Sequence, residues 1–108
     1  MLVLKFGGTS VGSPQAIRKL IDIVVDGEHA GRTRLVVVSA FSGITDQLIE
    51  TARAAEAGDG TYADRIETMR KRHADAVAEL CVGADKTAAD EFCRVSFDEL
   101  VGNLEGVR

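Results

Sequence analysis

The chain opens on a short apolar run, Leu2-Val3-Leu4-Lys5-Phe6, ended by Gly7-Gly8. Such a run is too short for a helix and predicts a buried strand. Ser13-Pro14 then supplies an N-cap followed by proline at the first helical position, where the missing N–H does no harm. Ile17, Leu20, Ile21, Val24 and Val25 recur at i, i+3, i+4, i+7 and i+8. That stripe predicts a helix over 14–25 with one buried face. The polar stretch 26–34, with Gly27 and Gly31, is a connection. Leu35-Val36-Val37-Val38 has no polar alternation, the pattern of a central parallel strand buried on both faces, and predicts a strand over 34–39. Strand, helix and strand in this order form a βαβ unit, whose crossover is right-handed in nearly all folds.

A further helix is expected over 44–57, with Leu48, Ile49 and Ala52 turned inward and Gly58-Asp59-Gly60 as its stop. Beyond it, Tyr62, Ile66, Met69, His73, Val77 and Leu80 recur at three- and four-residue steps. After Gly83, Ala89, Phe92, Cys93, Phe97, Leu100 and Leu104 do the same. Two antiparallel helices joined by a short turn fit this spacing. The chain thus reads as a βαβα unit over 1–57 and a helical hairpin over 61–107. Two parallel strands are too few for an independent core. The pattern therefore favours a piece of a larger α/β domain over a helical domain with a vestigial sheet.

Composition narrows the class. Of 108 residues, 45% are apolar and 28% charged, which excludes a disordered or collagenous chain. Aromatics make up 5% with no Trp, so aliphatic side chains must build the core. Thirteen basic against 17 acidic residues give a net charge of −4, opposite to a nucleic-acid footprint. The basic cluster Arg65, Arg70, Lys71 and Arg72 is diluted by Asp64, Glu67 and Asp75, as on a solvated helix face. No run approaches the roughly 18 apolar residues of a membrane span. No secretion signal precedes the first strand, so a cytoplasmic protein is expected, without membrane or nucleic-acid partners. Cys81 and Cys93 then read as free thiols of the core, and no metal site is expected. His29, in a loop, and His73, on a helix, receive no role.

Two segments carry candidate chemistry. In Lys5-Phe6-Gly7-Gly8-Thr9-Ser10-Val11-Gly12-Ser13 a strand delivers a lysine, then paired glycines, then hydroxyls, and a helix begins. Glycine lets backbone N–H groups approach an anion, and the helix N-terminus adds oriented donors. The order differs from the Walker and dinucleotide loops, since Lys precedes the glycines. A phosphate cradle is one reading; a tight turn beside a surface lysine is the other. The second segment, Val38-Ser39-Ala40-Phe41-Ser42-Gly43-Ile44-Thr45-Asp46, leaves the second strand at its carboxyl end, where open α/β sheets bind ligands. Ser39 and Thr45 offer neutral donors there. Taken alone, the segment reads better as a helix start capped by Ser42, with Thr45 in the first turn.

Taken together, Lys5-Phe6-Gly7-Gly8-Thr9-Ser10-Val11 and Val37-Val38-Ser39-Ala40 followed by Gly43-Ile44-Thr45-Asp46 closely resemble the paired signatures of aspartokinases, within the amino-acid kinase family. The resemblance covers residues 1 to about 52 and is compatible in pattern beyond. It implies the N-terminal part of a three-layer α/β sandwich and phosphorylation of the aspartate side-chain carboxylate by MgATP. That reaction commits aspartate to lysine, threonine, methionine and isoleucine biosynthesis. By the same resemblance Lys5 is the catalytic charge and binds the ATP phosphates with Gly7 and Gly8. Thr9 and Ser10 shape the phosphate loop, and Ser39 and Thr45 contact L-aspartate. ATP with Mg²⁺ is the co-substrate complex, and a homo-oligomeric whole protein is expected. The family's kinase domains run well beyond this length, so the chain is expected to be an N-terminal portion, inactive alone. Bifunctional relatives that also carry homoserine dehydrogenase begin in the same way. The alternatives are a kinase of the same family acting on glutamate, acetylglutamate or a nucleotide, and a non-catalytic module working through its helical hairpin.

Overall fold

The structure, a computed structural model, describes residues 2–28 and 30–107, with the backbone alone for Thr33 and Arg34. The expected loop position of His29 lies outside the described residues. Six elements follow in order: β1 (Leu2–Phe6), α1 (Pro14–Asp26), β2 (Thr33–Val38), α2 (Ile44–Glu56), α3 (Tyr62–Leu80) and α4 (Gly83–Glu105). The chain is therefore mixed α/β. It divides into two compact units, Met1–Thr45 and Asp46–Arg108.

In the first unit β1 and β2 pair in parallel, as their spacing predicts, with Val3 opposite Leu35 and Phe6 opposite Val38. The register slips once, between Leu2 and Val3. Side chains alternate across a strand. Leu2, Leu4 and Phe6 are accordingly half-buried, while Val3 and Lys5 are exposed. On α1 the Ser13 hydroxyl accepts the Ala16 N–H at 3.1 Å, and Pro14 begins the helix. Ile17, Leu20 and Val24 are half-buried, but Ile21 and Val25 are exposed, and α1 has no fully buried residue. The expectation that the strand over 34–39 is buried on both faces also fails. Leu35 and Val37 are exposed together with Val3. The physical reason is area. A sheet of two strands buries little against a single helix, and among the described residues of this unit no element covers the face that carries Val3, Leu35 and Val37.

The second unit has a closer core. Ile66 and Met69 are each 1% exposed, and Tyr62, Ala76, Phe97 and Leu104 are buried with them. On α2 the inward residues are Thr51 and Ala55, not Leu48, Ile49 and Ala52, which are exposed. Steps of seven and four residues from the buried Ile44 reach Thr51 and Ala55, a face turned away from Ile49 and Ala52. Thr51 tolerates complete burial because its hydroxyl donates to the Gln47 carbonyl at 2.6 Å, one turn back. Phe92 is a second correction. It is 74% exposed, because it lies well over 100° around α4 from the buried Phe97.

The α3–α4 pair is joined through Cys81-Val82 and tied by Arg70. Its guanidinium lies over the Phe97 ring, 5.5 Å from the centroid, and donates to Asp98 at 3.1 Å and Glu67 at 3.2 Å. His73 sets its ring edge-on to Phe97 at 5.1 Å, and its Nδ1 lies 2.8 Å from the Met69 carbonyl oxygen. Exposed ion pairs stabilise little individually, so this set fixes register more than it adds stability. Cys81 and Cys93 are free and half-buried. Burial, then the charge of Asp90, pushes the Cys93 thiol above its ordinary value, so it is no thiolate nucleophile at neutral pH. Ahead of α3, the Thr61 N–H donates to Asp59 Oδ1 at 2.9 Å. That bond, a second from the Thr61 side chain and the charge of Arg65 hold the Asp59 carboxyl below its ordinary value.

Two outcomes follow for stability. Ile66→Ala is expected to cost about 2–5 kcal/mol, whereas Phe92→Ala should stay within about 0.5 kcal/mol. Urea titrations of both variants measure this, and equal effects would mean that the core lies elsewhere. Because the folded state lowers the Asp59 pKa, its contribution is present above the unfolded-state value and disappears as pH falls through the folded one. Thermal melts of Asp59→Asn across an acid series should therefore fall less steeply than wild type below the ordinary carboxylate range.

Candidate functional site

Two loops meet at the carboxyl edge of the β1–β2 pair. The first begins where Gly7-Gly8 ends β1. It turns through Ser10 N–H donating to the Gly7 carbonyl at 3.0 Å and Gly12 N–H to that of Thr9 at 3.3 Å. Val11, buried at 5% exposure, anchors it, and Thr9 and Ser10 just before it are exposed. The second loop stays in register with the first strand, since the Ser39 N–H donates to the Phe6 carbonyl at 3.1 Å. It then turns through Gly43, whose φ of +84° is a conformation that favours glycine, into the buried Ile44 at the head of α2.

Gly8 and Gly12 are the points of closest approach. A Cβ at Gly8 would stand 3.6 Å from Ser39 Oγ, from the Ala40 carbonyl oxygen and from Ser42 Cα. At Gly12 it would crowd the Gly8 carbonyl oxygen at 3.2 Å and Ser42 Cβ at 3.3 Å. Gly7 differs, for a Cβ there would meet nothing within 4 Å. Its backbone is thus open on one flank, the condition for an anion to approach main-chain N–H groups. The Ser39 hydroxyl donates to the Ala40 carbonyl at 3.0 Å, an exposed local bond that a ligand can replace.

Of the residues singled out in the sequence, Gly8 and Ser39 are brought close together, with Gly7 next to Gly8 in the chain. Thr45 stands exposed in the first turn of α2. Lys5, by alternation along β1, projects from the face opposite Phe6. Thr9 and Ser10 lie instead on the Phe6 side. There they line a cleft of about 420 Å³ with Phe6, Ser13, Lys19 and Leu20. Lys19 is a cation that the sequence reading passed over. Its signal was available, because Gln15, Lys19 and Ile23 form an i, i+4, i+8 row along α1, and all three line the cleft. Val11 was also missed as an anchor, since a single apolar residue between hydroxyls and glycine has no period.

Among the described residues no three His, Cys, Asp or Glu side chains gather to hold a metal ion. No helix among them is long and apolar enough to cross a membrane. Chemically, the edge offers open glycine backbone and small hydroxyls, groups suited to an anion, while Lys5 projects from the other face of β1.

Comparison with known proteins identifies the family. The chain is 43% identical over 79 residues to an aspartokinase of Chlamydia trachomatis, covering 73% of this chain and 17% of that protein. It is 35% identical over 83 residues to a chloroplastic bifunctional aspartokinase/homoserine dehydrogenase 2 of Arabidopsis thaliana, covering 77% and 9%. An aspartokinase of Mycolicibacterium smegmatis is 31% identical over 93 residues, 85% of this chain and 22% of the relative. The chain thus spans between 9 and 22% of the length of these relatives. The amino acid kinase family itself matches residues 1–100. Since that match runs unbroken from β1 through both loops and into α4, the chain belongs to the amino acid kinase family.

Proposed function

We propose that this chain is part of an aspartate kinase, which transfers the γ-phosphoryl group of MgATP to the side-chain carboxylate of L-aspartate. The observation that supports the reading is the close approach of Gly8 to the Ser39 loop, which sets the glycine loop beside a hydroxyl-bearing one. The names of the relatives support aspartate over glutamate, acetylglutamate or a nucleotide as acceptor. Such a role belongs to amino-acid biosynthesis leading to lysine, threonine and methionine, in a cytoplasmic and homo-oligomeric enzyme.

In this reading the N–H groups of Gly7 and Gly8 hold the phosphate oxygens, and Thr9 and Ser10 shape the loop around them. Lys5 neutralises charge that builds on the transferring phosphoryl group. Ser39 and Thr45 hold the aspartate so that a side-chain carboxylate oxygen lies in line with the bond being broken. That oxygen forms a bond to the γ-phosphorus as the bond to the ADP oxygen breaks, giving aspartyl phosphate and ADP. Mg²⁺ enters with ATP as part of the substrate, and its charge adds to that of Lys5. The exposed apolar face of Val3, Leu35 and Val37 supports placing the first unit inside a larger three-layer sandwich, where another layer covers it.

Kinetics of the whole enzyme test the assignment. Lys5→Ala is expected to lower kcat by roughly a hundredfold or more, because a charge aimed at the transition state is worth most in a water-poor site. Thr45→Val should raise the KM for aspartate about tenfold or less, the effect of one hydrogen bond worth about 1 kcal/mol, with kcat nearly unchanged. ADP release coupled to aspartate measures both. Near-normal turnover of the Lys5 variant would remove that residue from the active site, and turnover that ignores aspartate would overturn the substrate.

A further inference from the structure

In the first unit, the cleft of about 420 Å³ opens between α1 and the loop that follows β1. That volume falls in the range of small-molecule sites and far exceeds the space of one water. Its floor is apolar, made by Phe6, Ala16, Leu20 and Ile23. The last three share a face of α1 at steps of four and three residues, and so pave a strip about 10 Å long.

The polar lining gathers at one end of that strip. Thr9, Ser10 and Ser13 precede α1, while Gln15 and Lys19 stand one turn apart along it. Helical side chains lean toward the N-terminus, which carries the Lys19 ammonium toward Gln15 and Ser13 and away from Ile23. Among the described residues no hydrogen bond or ion pair engages that ammonium or the Thr9 and Ser10 hydroxyls. The Ser13 oxygen accepts the Ala16 N–H at 3.1 Å, so its own hydrogen is left to donate. Thr9, Ser10 and Lys19 are exposed, and a ligand entering from solvent reaches each of them. No carboxylate is among the described residues that line the cleft. One end is thus rich in donors around a single positive charge, and the other is apolar.

We propose that this cleft binds a small monocarboxylate with a short apolar body. A carboxylate has acceptors alone, and it takes a charge-assisted bond from Lys19 together with bonds from the hydroxyls. The body lies over Phe6, Leu20 and Ile23, where burial supplies the affinity that one exposed ion pair cannot. Inorganic phosphate matches less well, since it carries more charge than one lysine balances and leaves the strip uncovered. The inference goes beyond the kinase reading and does not rest on it. Phosphate is held there by the Gly7 and Gly8 backbone, whereas the cleft recognises its ligand through side chains drawn largely from α1.

An amide NMR titration of the full chain with benzoate tests the proposal, with acetate as the head alone and benzyl alcohol as the body alone. Saturable shifts are expected at Ser10, Lys19, Leu20 and Ile23 with benzoate, and much weaker ones with either half. Lys19→Gln should weaken benzoate binding about fivefold, the effect of one exposed ion pair, and leave benzyl alcohol unaffected. Ile23→Ser should weaken both aromatic ligands about threefold, by removing part of the apolar strip. Both substituted positions are exposed, so the fold is not at stake. No saturable response to benzoate would overturn the proposal, as would a response that Lys19→Gln leaves in full. Equal binding of benzyl alcohol would reduce the cleft to an apolar patch, and equal binding of acetate would reduce it to a surface lysine. Either of these outcomes contradicts the assignment.

Discussion

Parallel strands cannot be joined by a tight hairpin; the chain must cross over and start the second strand from the same end as the first. In this protein α1 is that crossover, and β1 and β2 therefore finish at one common edge. Everything proposed about the first unit depends on this constraint. It delivers the Gly7-Gly8 loop and the Ser39 loop to the same place, and the Ser39 N–H bond to the Phe6 carbonyl carries the strand register into the loops. Small residues then allow the approach, with Gly8 lying against Ser39 and Gly12 against Ser42. An antiparallel pairing of the same strands would have put the two loops at opposite ends of the sheet.

The elements were legible in the sequence because strong local signals bound them. Gly7-Gly8 closes β1, Ser13-Pro14 opens α1 with the expected cap, and Gly43 and Gly58 flank α2 with positive φ. Parallel pairing was legible from the crossover length and the apolar strands. Burial was less so, because periodicity shows which residues share a helix face and not which face meets a neighbour. Thr51 is buried although it is polar, through a bond inside its own helix. Phe92 is exposed although it is aromatic, because Phe97 takes the inward face. The candidate site divides in the same way. Gly8 and Ser39 were singled out from loop chemistry and lie close together, whereas Lys19 lines a cleft that forms only when α1 runs alongside Phe6. The opposition of Lys5 to that cleft follows from strand alternation and was available from the start.

The second unit shows how a helical pair with few aromatics can be made specific. Ile66, Met69 and Phe97 supply the apolar contact, and Arg70 joins ring, Asp98 and Glu67 in one arrangement. Polar groups taken out of solvent must find partners, and Thr51 does so within its own helix while Gln47 Oε1 does not.

The central claim is that the glycine loop at the common strand edge receives phosphate. It is tested most directly by following backbone amides while MgATP is titrated into the protein. The account predicts that the Gly7 and Gly8 amides shift first and furthest, with Ser39 responding through its contact with Gly8. Shifts centred on Lys19 and the α1 cleft, with both glycine amides unmoved, would contradict it.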